Sequence, residues 1–179
     1  MHTIFFTGAG DGGEVSVGKN KKSKADPVFD VLGLCDEVNV LCGYAAKEAS
    51  VDIQTYLFRI QELLFIMQAD IASLIFGGSA PKIHMTHTQE LEQMIAWCDK
   101  QVPPITHFII PGGSEASLRI DFARVRAREL ERVLIKIDHA YAISHEMKGF
   151  INRLSSVLFA CARYENKQRE IEERAPTYQ

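Results

Sequence analysis

Seven apolar residues, Ile53, Leu57, Ile60, Leu64, Met67, Ile71 and Leu74, follow one another at alternating spacings of four and three. That rhythm closes on one face of an α-helix and on no face of a strand, so the whole stretch is committed to helix. Leu63, Ile66 and Ile75 widen the stripe, and Gly77-Gly78 followed by Pro81 stops it. Met147, Ile151, Leu154, Leu158 and Cys161 repeat the same spacing and predict a second long helix, from about His145 to Lys167. Two helices this apolar need partners, which limits the chain to a helical bundle or a helical layer on something else.

The remaining segments supply more helices. Asp26 and Pro27 read as an N-cap and first turn, and Val28, Val31, Leu32, Cys35, Val38, Leu41 and Cys42 carry that helix to about Ala49. Asp36 and Glu37 interrupt its apolar pattern. Ser50 reads as the cap of the Ile53–Leu74 helix. Thr86 or Thr88 starts a shorter helix, Gln89 to about Gln101, which ends at Pro103-Pro104. Ser114 caps a fourth helix, about 115–140, after the apolar loop His107-Phe-Ile-Ile-Pro-Gly-Gly. The expected architecture is therefore all-α, a five-helix bundle with ferritin-like up-down packing and no credible sheet. Residues 1–26 form a Gly/Lys-rich arm, 27–167 the bundle, and 168–179 a polar tail expected to fray. Several helices are apolar beyond one stripe, which predicts burial against another subunit.

Composition removes whole classes of function. A net charge of −3 over 179 residues offers no cationic field for a nucleic-acid backbone. No segment is apolar enough to span a bilayer, no signal peptide is visible, and Cys35, Cys42, Cys98 and Cys161 form no CxxC or Cys/His metal spacing. A cytoplasmic protein with reduced thiols is expected. No Glu-x-x-His, His-Glu-x-x-His or Gly-x-Ser-x-Gly motif occurs, so no protein-held metal and no serine nucleophile is expected.

Two charged features remain. Gly8-Ala-Gly10-Asp-Gly12-Gly13 lacks the helix a dinucleotide fingerprint requires, and Asn20 stands where a Walker A loop needs Ser or Thr. Exposed N–H groups of this arm, with Lys19, Lys21, Lys22 and Lys24 behind them, suit a phosphate; equally, the arm is simply solvated. Asp121, Arg124, Arg128 and Glu131 share one side of the fourth helix. They form either a solvated salt-bridged face or an anion-binding one, and Asp36 could pair with Arg124 or Arg128 within or between subunits.

Read in order, six stretches make the chain resemble the ATP:cob(I)alamin adenosyltransferases of the propanediol-utilisation type. They are Thr7-Gly8-Ala9-Gly10-Asp11-Gly12-Gly13-Glu14-Val15-Ser16, Lys24-Ala25-Asp26, Gly33-Leu34-Cys35-Asp36-Glu37-Val38-Asn39, Phe108-Ile109-Ile110-Pro111-Gly112-Gly113, Arg124 through Arg128-Glu129-Leu130-Glu131-Arg132, and Asn152-Arg153-Leu154-Ser155-Ser156. The resemblance implies a homotrimer with active sites between subunits. It implies transfer of the 5′-deoxyadenosyl group of ATP to cob(I)alamin, with release of triphosphate. By position, Thr7, Gly8, Ala9, Gly10, Val15, Ser16, Lys24, Arg128, Glu129, Leu130, Glu131, Arg132 and Asn152 would hold ATP and its Mg²⁺. Asp36 and Arg124 would form an intersubunit salt bridge near the corrin, and Phe108 would cover the lower face of cobalt. Together with Arg128 these are the expected catalytic group. A reductase or a cobalamin-dependent enzyme is the implied protein partner.

The inventory agrees with such chemistry. Co(I) is a strong nucleophile, so the protein needs no general base, only alignment of the reactants and neutralisation of the leaving triphosphate. Four positions depart from the family pattern. Gly8 replaces a cation, Ala9 a hydroxyl, Glu129 an arginine and Ser156 an aspartate, and each lost charge-assisted contact costs roughly 1.5–3 kcal/mol. They motivate an alternative: a diverged bundle that binds a nucleotide or corrinoid as sensor or carrier without catalysis.

Overall fold

A computed structural model describes residues 8–17 and 20–178. Helix α1 spans Val28–Ala46, α2 Val51–Phe76, α3 Met85–Asp99, α4 Glu115–Lys136, α5 Asp138–Tyr141 and α6 His145–Gln168. Helices α4 and α6 form the centre of the packing. α1 lies against α4, α2 against α1, and α3 against α6, so the lateral order is α2, α1, α4, α6, α3. The stripe that commits α2 to helix is its buried face: Ile53, Leu57, Ile60, Leu64, Met67 and Ile71 are fully buried. In α6, Met147, Ile151, Leu154, Leu158 and Cys161 are buried in the same core. None of the helices among the described residues is long and apolar enough to cross a membrane.

The helix boundaries follow local hydrogen bonding. The N-cap of α1 is Pro27, one residue after the expected Asp26, whose carboxylate accepts the Val28 N–H at 3.1 Å. Ser114 Oγ accepts from Ser117 N at 3.0 Å, and Ser144 Oγ from Met147 N at 3.1 Å. Ser50 is the N-cap of α2, as expected, but its side chain does not cap the helix. Its N–H and hydroxyl donate to Glu165 Oε1 at 2.8 and 2.7 Å, tying the start of α2 to α6. Helix α3 begins at Met85, ahead of either expected threonine. His84 and His87 form a reciprocal capping box, with His87 Nδ1 accepting the His84 N–H at 3.1 Å. The fourth helix is shorter than the expected 115–140. The Asp138 carboxylate accepts the Ile143 N–H at 2.9 Å and meets Lys148 at 2.6 Å, competing with helix continuation, and Ala142 turns left-handed at φ 48°.

Two expectations need correction. The arm carries a small antiparallel hairpin, β1 Glu14–Val17 and β2 Asn20–Ser23, pairing Glu14 with Ser23, Val15 with Lys22 and Ser16 with Lys21. Four-residue strands in a charged segment leave too little alternation to read. The hairpin is tied to the bundle: Asn20 Nδ2 donates to the Phe76 carbonyl at 2.6 Å, and Lys22 meets Asp26 at 3.1 Å and sits 5.2 Å over the Tyr141 ring. The Tyr141 hydroxyl and Asp26 hold the Lys22 ammonium above its ordinary value. The tail expected to fray instead returns to the bundle. Its Glu173 pairs with Arg163 at 2.8 Å, and its Arg174 carbonyl accepts the Ile110 N–H at 2.9 Å.

All four cysteines are free and buried. Burial pushes the Cys35 and Cys42 thiols up to about 12, and the Cys98 thiol together with burial raises Cys161 well above its ordinary value. Since the thiolate is the reactive form, the native protein should not react with a disulfide reagent at neutral pH, and the unfolded protein should react at all four positions. Rapid labelling without denaturant would contradict this core.

Candidate functional site

Three and four residues along α4 return to the same side, so Asp121, Arg124 and Arg128 rise along one wall. Ser155, Ser156 and Phe159 of α6 face them, and residues 105–112 close the end, enclosing a cleft of about 420 Å³. Arg124 Nε donates to Asp121 Oδ1 at 2.6 Å, and its guanidinium lies 5.7 Å over the Phe159 ring. Arg124 is therefore held by its own helix, with an aromatic face as its second support. Arg128 is exposed, and among the described residues it has no ion-pair partner. Phe108 stands at the rim with 80% of its surface exposed. A cleft with apolar walls and cationic groups on one side suits a large apolar ring system beside an anion.

One turn beyond Arg128, Glu131 Oε1 accepts a hydrogen bond from Asn152 Nδ2 at 2.9 Å, which joins α4 to α6. Arg132 and Asn152 are exposed on that side. Gly8, Ala9, Gly10, Val15, Ser16 and Lys24 gather on the hairpin and the turn before it. The Lys24 ammonium packs onto Gly10 so closely that a Cβ there would lie 2.8 Å from Nζ. Glycine at that position lets a cation lie against exposed backbone amides, as a phosphate cradle requires. Lys24 N–H also donates to the Gly13 carbonyl at 2.8 Å. Thr7 lies outside the described residues.

The side-chain positions bear on three of the sequence-based assignments. Asp36 is exposed on α1 and is not Arg124's partner within the chain. Glu129 does not line the Arg128 cleft: it pairs with Arg126, which also binds Glu37 of α1. One residue advances a helix by about 100°, enough to move Glu129 off the wall that carries Arg128. Its negative charge is thus absorbed by a structural ion pair. Leu130 is fully buried in the core and offers no side chain to a ligand. Leu130→Ala should destabilise the protein by about 2–5 kcal/mol, read as a lowered denaturant midpoint, while ligand affinity of the remaining folded protein is unchanged.

The cleft also contains residues that the motifs and spacing did not single out. Arg163, Asn166 and Glu173 line it, with Phe159. A signal existed: Arg163, Glu165 and Asn166 continue a helix whose buried face is otherwise mainly apolar, and buried polar residues are informative. Among the described residues no cluster of His, Cys, Asp and Glu could hold a metal ion.

The family described as cobalamin adenosyltransferase matches residues 5–165. The corrinoid adenosyltransferase PduO of Citrobacter freundii is 35% identical over 168 residues, 90% of this chain and 49% of that protein. The chain thus spans about half the length of the PduO relatives it matches. A second corrinoid adenosyltransferase of Citrobacter freundii is 33% identical over 164 residues, 89% of this chain and 93% of that protein. A solved variant of the PduO-type ATP:corrinoid adenosyltransferase from Lactobacillus reuteri, complexed with cobalamin and ATP, superposes with a TM-score of 0.88 at 30% identity, covering 96% of this chain and 98% of that one.

Proposed function

Because the chain belongs to the cobalamin adenosyltransferase family, we propose that it transfers the 5′-deoxyadenosyl group of ATP to the cobalt of cob(I)alamin. The two-electron Co(I) nucleophile attacks C5′, the cobalt–carbon bond forms, and the C5′–oxygen bond breaks. The triphosphate departs with that bond's electron pair. The observation that carries this reading is the convergence of Phe108, Arg124 and Arg128 on one cleft.

The assignments follow from what each group can do. Phe108 covers the lower face of the corrin, excluding the axial base and making reduction to Co(I) feasible. Arg124, already braced by Asp121 and Phe159, borders the corrin. Arg128, with Arg132, Asn152 and Glu131, holds the nucleotide. The N-terminal arm of the sequence contributes Thr7, Gly8, Ala9, Gly10, Val15, Ser16 and Lys24 around the phosphates, with Lys24 supplying positive charge where the leaving group gathers negative charge. Glu131, oriented by Asn152, and the phosphates present the hard oxygen donors that Mg²⁺ prefers.

We assign a homotrimer with its sites between subunits. Supporting this, Asp36 is exposed on α1 beside Val40 and Tyr44, and α4 exposes Leu118, Phe122 and Val125. An α4 of a neighbouring protomer would give Asp36 a cationic partner and cover these apolar residues. The reading also includes a reductase or a cobalamin-dependent enzyme as protein partner and a cytoplasmic location, the latter supported by four reduced thiols.

The test is direct. Protein incubated with ATP, Mg²⁺ and chemically reduced cob(I)alamin should develop the adenosylcobalamin spectrum and release one triphosphate per turnover. Corrinoid binding by calorimetry with no spectral conversion, in trimeric protein, would instead support a non-catalytic carrier.

A further inference from the structure

The last turns of α6 bury a guanidinium and an amide, with Arg163 and Asn166 each only 5% exposed. Buried polar groups require partners, and both find them on the same segment. Arg163 Nη2 donates to the Pro103 carbonyl at 2.9 Å. Its Nε and Nη2 grip Glu173 of the tail at 3.0 and 2.8 Å, and the adjacent Arg174 carbonyl accepts the Ile110 N–H at 2.9 Å. Asn166 Nδ2 donates to the Gly112 carbonyl at 2.9 Å, while its Oδ1 accepts the Ser114 N–H at 3.0 Å. Gly113, at φ 109°, passes so close to this amide that any Cβ there would collide with it.

The segment from Pro103 to Ser114 is thus pinned at both ends and at Ile110, entirely through its backbone. Phe108 lies inside those anchors and is 80% exposed. A side chain this exposed gains little placement from packing, so the pinned backbone sets where its ring stands.

We propose that Arg163 and Asn166 are positioning residues for the transfer: through Pro103, Gly112, Ser114 and the Glu173 tail contact they hold Phe108 against the corrin. This rests on the reading of Phe108 given above. A loop displaced by about 1 Å is enough to lower turnover by roughly a hundredfold. Arg163 does two jobs with one planar fork, which a lysine's single ammonium cannot reproduce. Arg163→Lys therefore keeps the buried charge paired with Glu173 while releasing Pro103, and Glu173→Gln weakens the grip from the tail side without deleting a buried cation.

Both variants, with Phe108→Ala and the unaltered protein alongside, would be assayed as trimers for ATP affinity, for turnover from cob(II)alamin plus reductant, and for turnover from pre-reduced cob(I)alamin. The electron paramagnetic resonance spectrum of bound cob(II)alamin reports whether the axial nitrogen base is still coordinated. Expected for Arg163→Lys and Glu173→Gln is a loss of roughly ten- to a hundredfold in turnover from cob(II)alamin. ATP affinity should stay within about twofold, and axial-nitrogen splitting should persist in a larger share of the bound corrinoid. Turnover from pre-reduced cob(I)alamin should fall much less. Unaltered turnover and spectra in both variants, with Phe108→Ala impaired, would overturn the positioning role alone. A uniform loss of ATP binding and of both activities would reduce these contacts to general stability and also overturn it. An unimpaired Phe108→Ala would remove the role assigned to Phe108, and the positioning role with it.

Discussion

Arg128→Ala is expected to weaken ATP binding by roughly ten- to a hundredfold, the loss of one or two charge-assisted contacts to a polyanion. The fold should be untouched, because Arg128 is exposed and among the described residues pairs with no carboxylate. Its thermal midpoint without ligand should match the parent, while the stabilisation conferred by ATP–Mg²⁺ should shrink, since ligand binding raises stability by mass action. Corrinoid binding should change little. Isothermal calorimetry separates these effects, and unaltered ATP affinity would remove Arg128 from the nucleotide site. Arg126→Ala is the control: its guanidinium is occupied by Glu37 and Glu129 on another face.

Phe108→Ala is expected to lower turnover from cob(II)alamin plus reductant by about a hundredfold or more, while ATP affinity remains within about twofold. The ring is 80% exposed, so its removal leaves no cavity, and stability should shift by less than about 0.5 kcal/mol. The defect belongs to the reduction step, so pre-reduced cob(I)alamin should restore much of the rate. Full activity from cob(II)alamin would show that Phe108 does not govern access to Co(I).

The two experiments address separable parts of one cleft. In the proposed reading, Arg128 acts on charge that develops on the triphosphate, and Phe108 on the coordination state of the cobalt. A defect confined to one readout in each variant is what separate roles require. Parallel losses would mean that both residues support a common geometry instead.

The long-range order in this molecule comes from short-range rules. The four–three rhythm of α2 and α6 survives into the structure because burying those stripes is what stabilises the bundle, and no side-chain chemistry competes with it. Ser114 and Ser144 behave as their sequence neighbourhoods require, since each cap depends on an N–H three residues away. The family-wide motif order, with the chain's match over residues 5–165, needed no coordinates either.

What the helical period could not decide is which of the partners within reach each charge of α4 takes. Asp121, not Asp36, braces Arg124 within the chain, and Glu129 turns to Arg126 rather than joining Arg128. Those outcomes depend on where α1 and α6 lie around α4, information that no window of sequence contains. The hairpin was illegible because four-residue strands leave too little alternation. The tail was illegible for a different reason: Glu173 looks like any solvated carboxylate until Arg163 is seen buried ten residues earlier. The sequence by itself determined the helices, their apolar faces and the family. The tertiary structure alone decided the partners of the charged groups, because burial and pairing of a charge depend on elements brought together from distant parts of the chain.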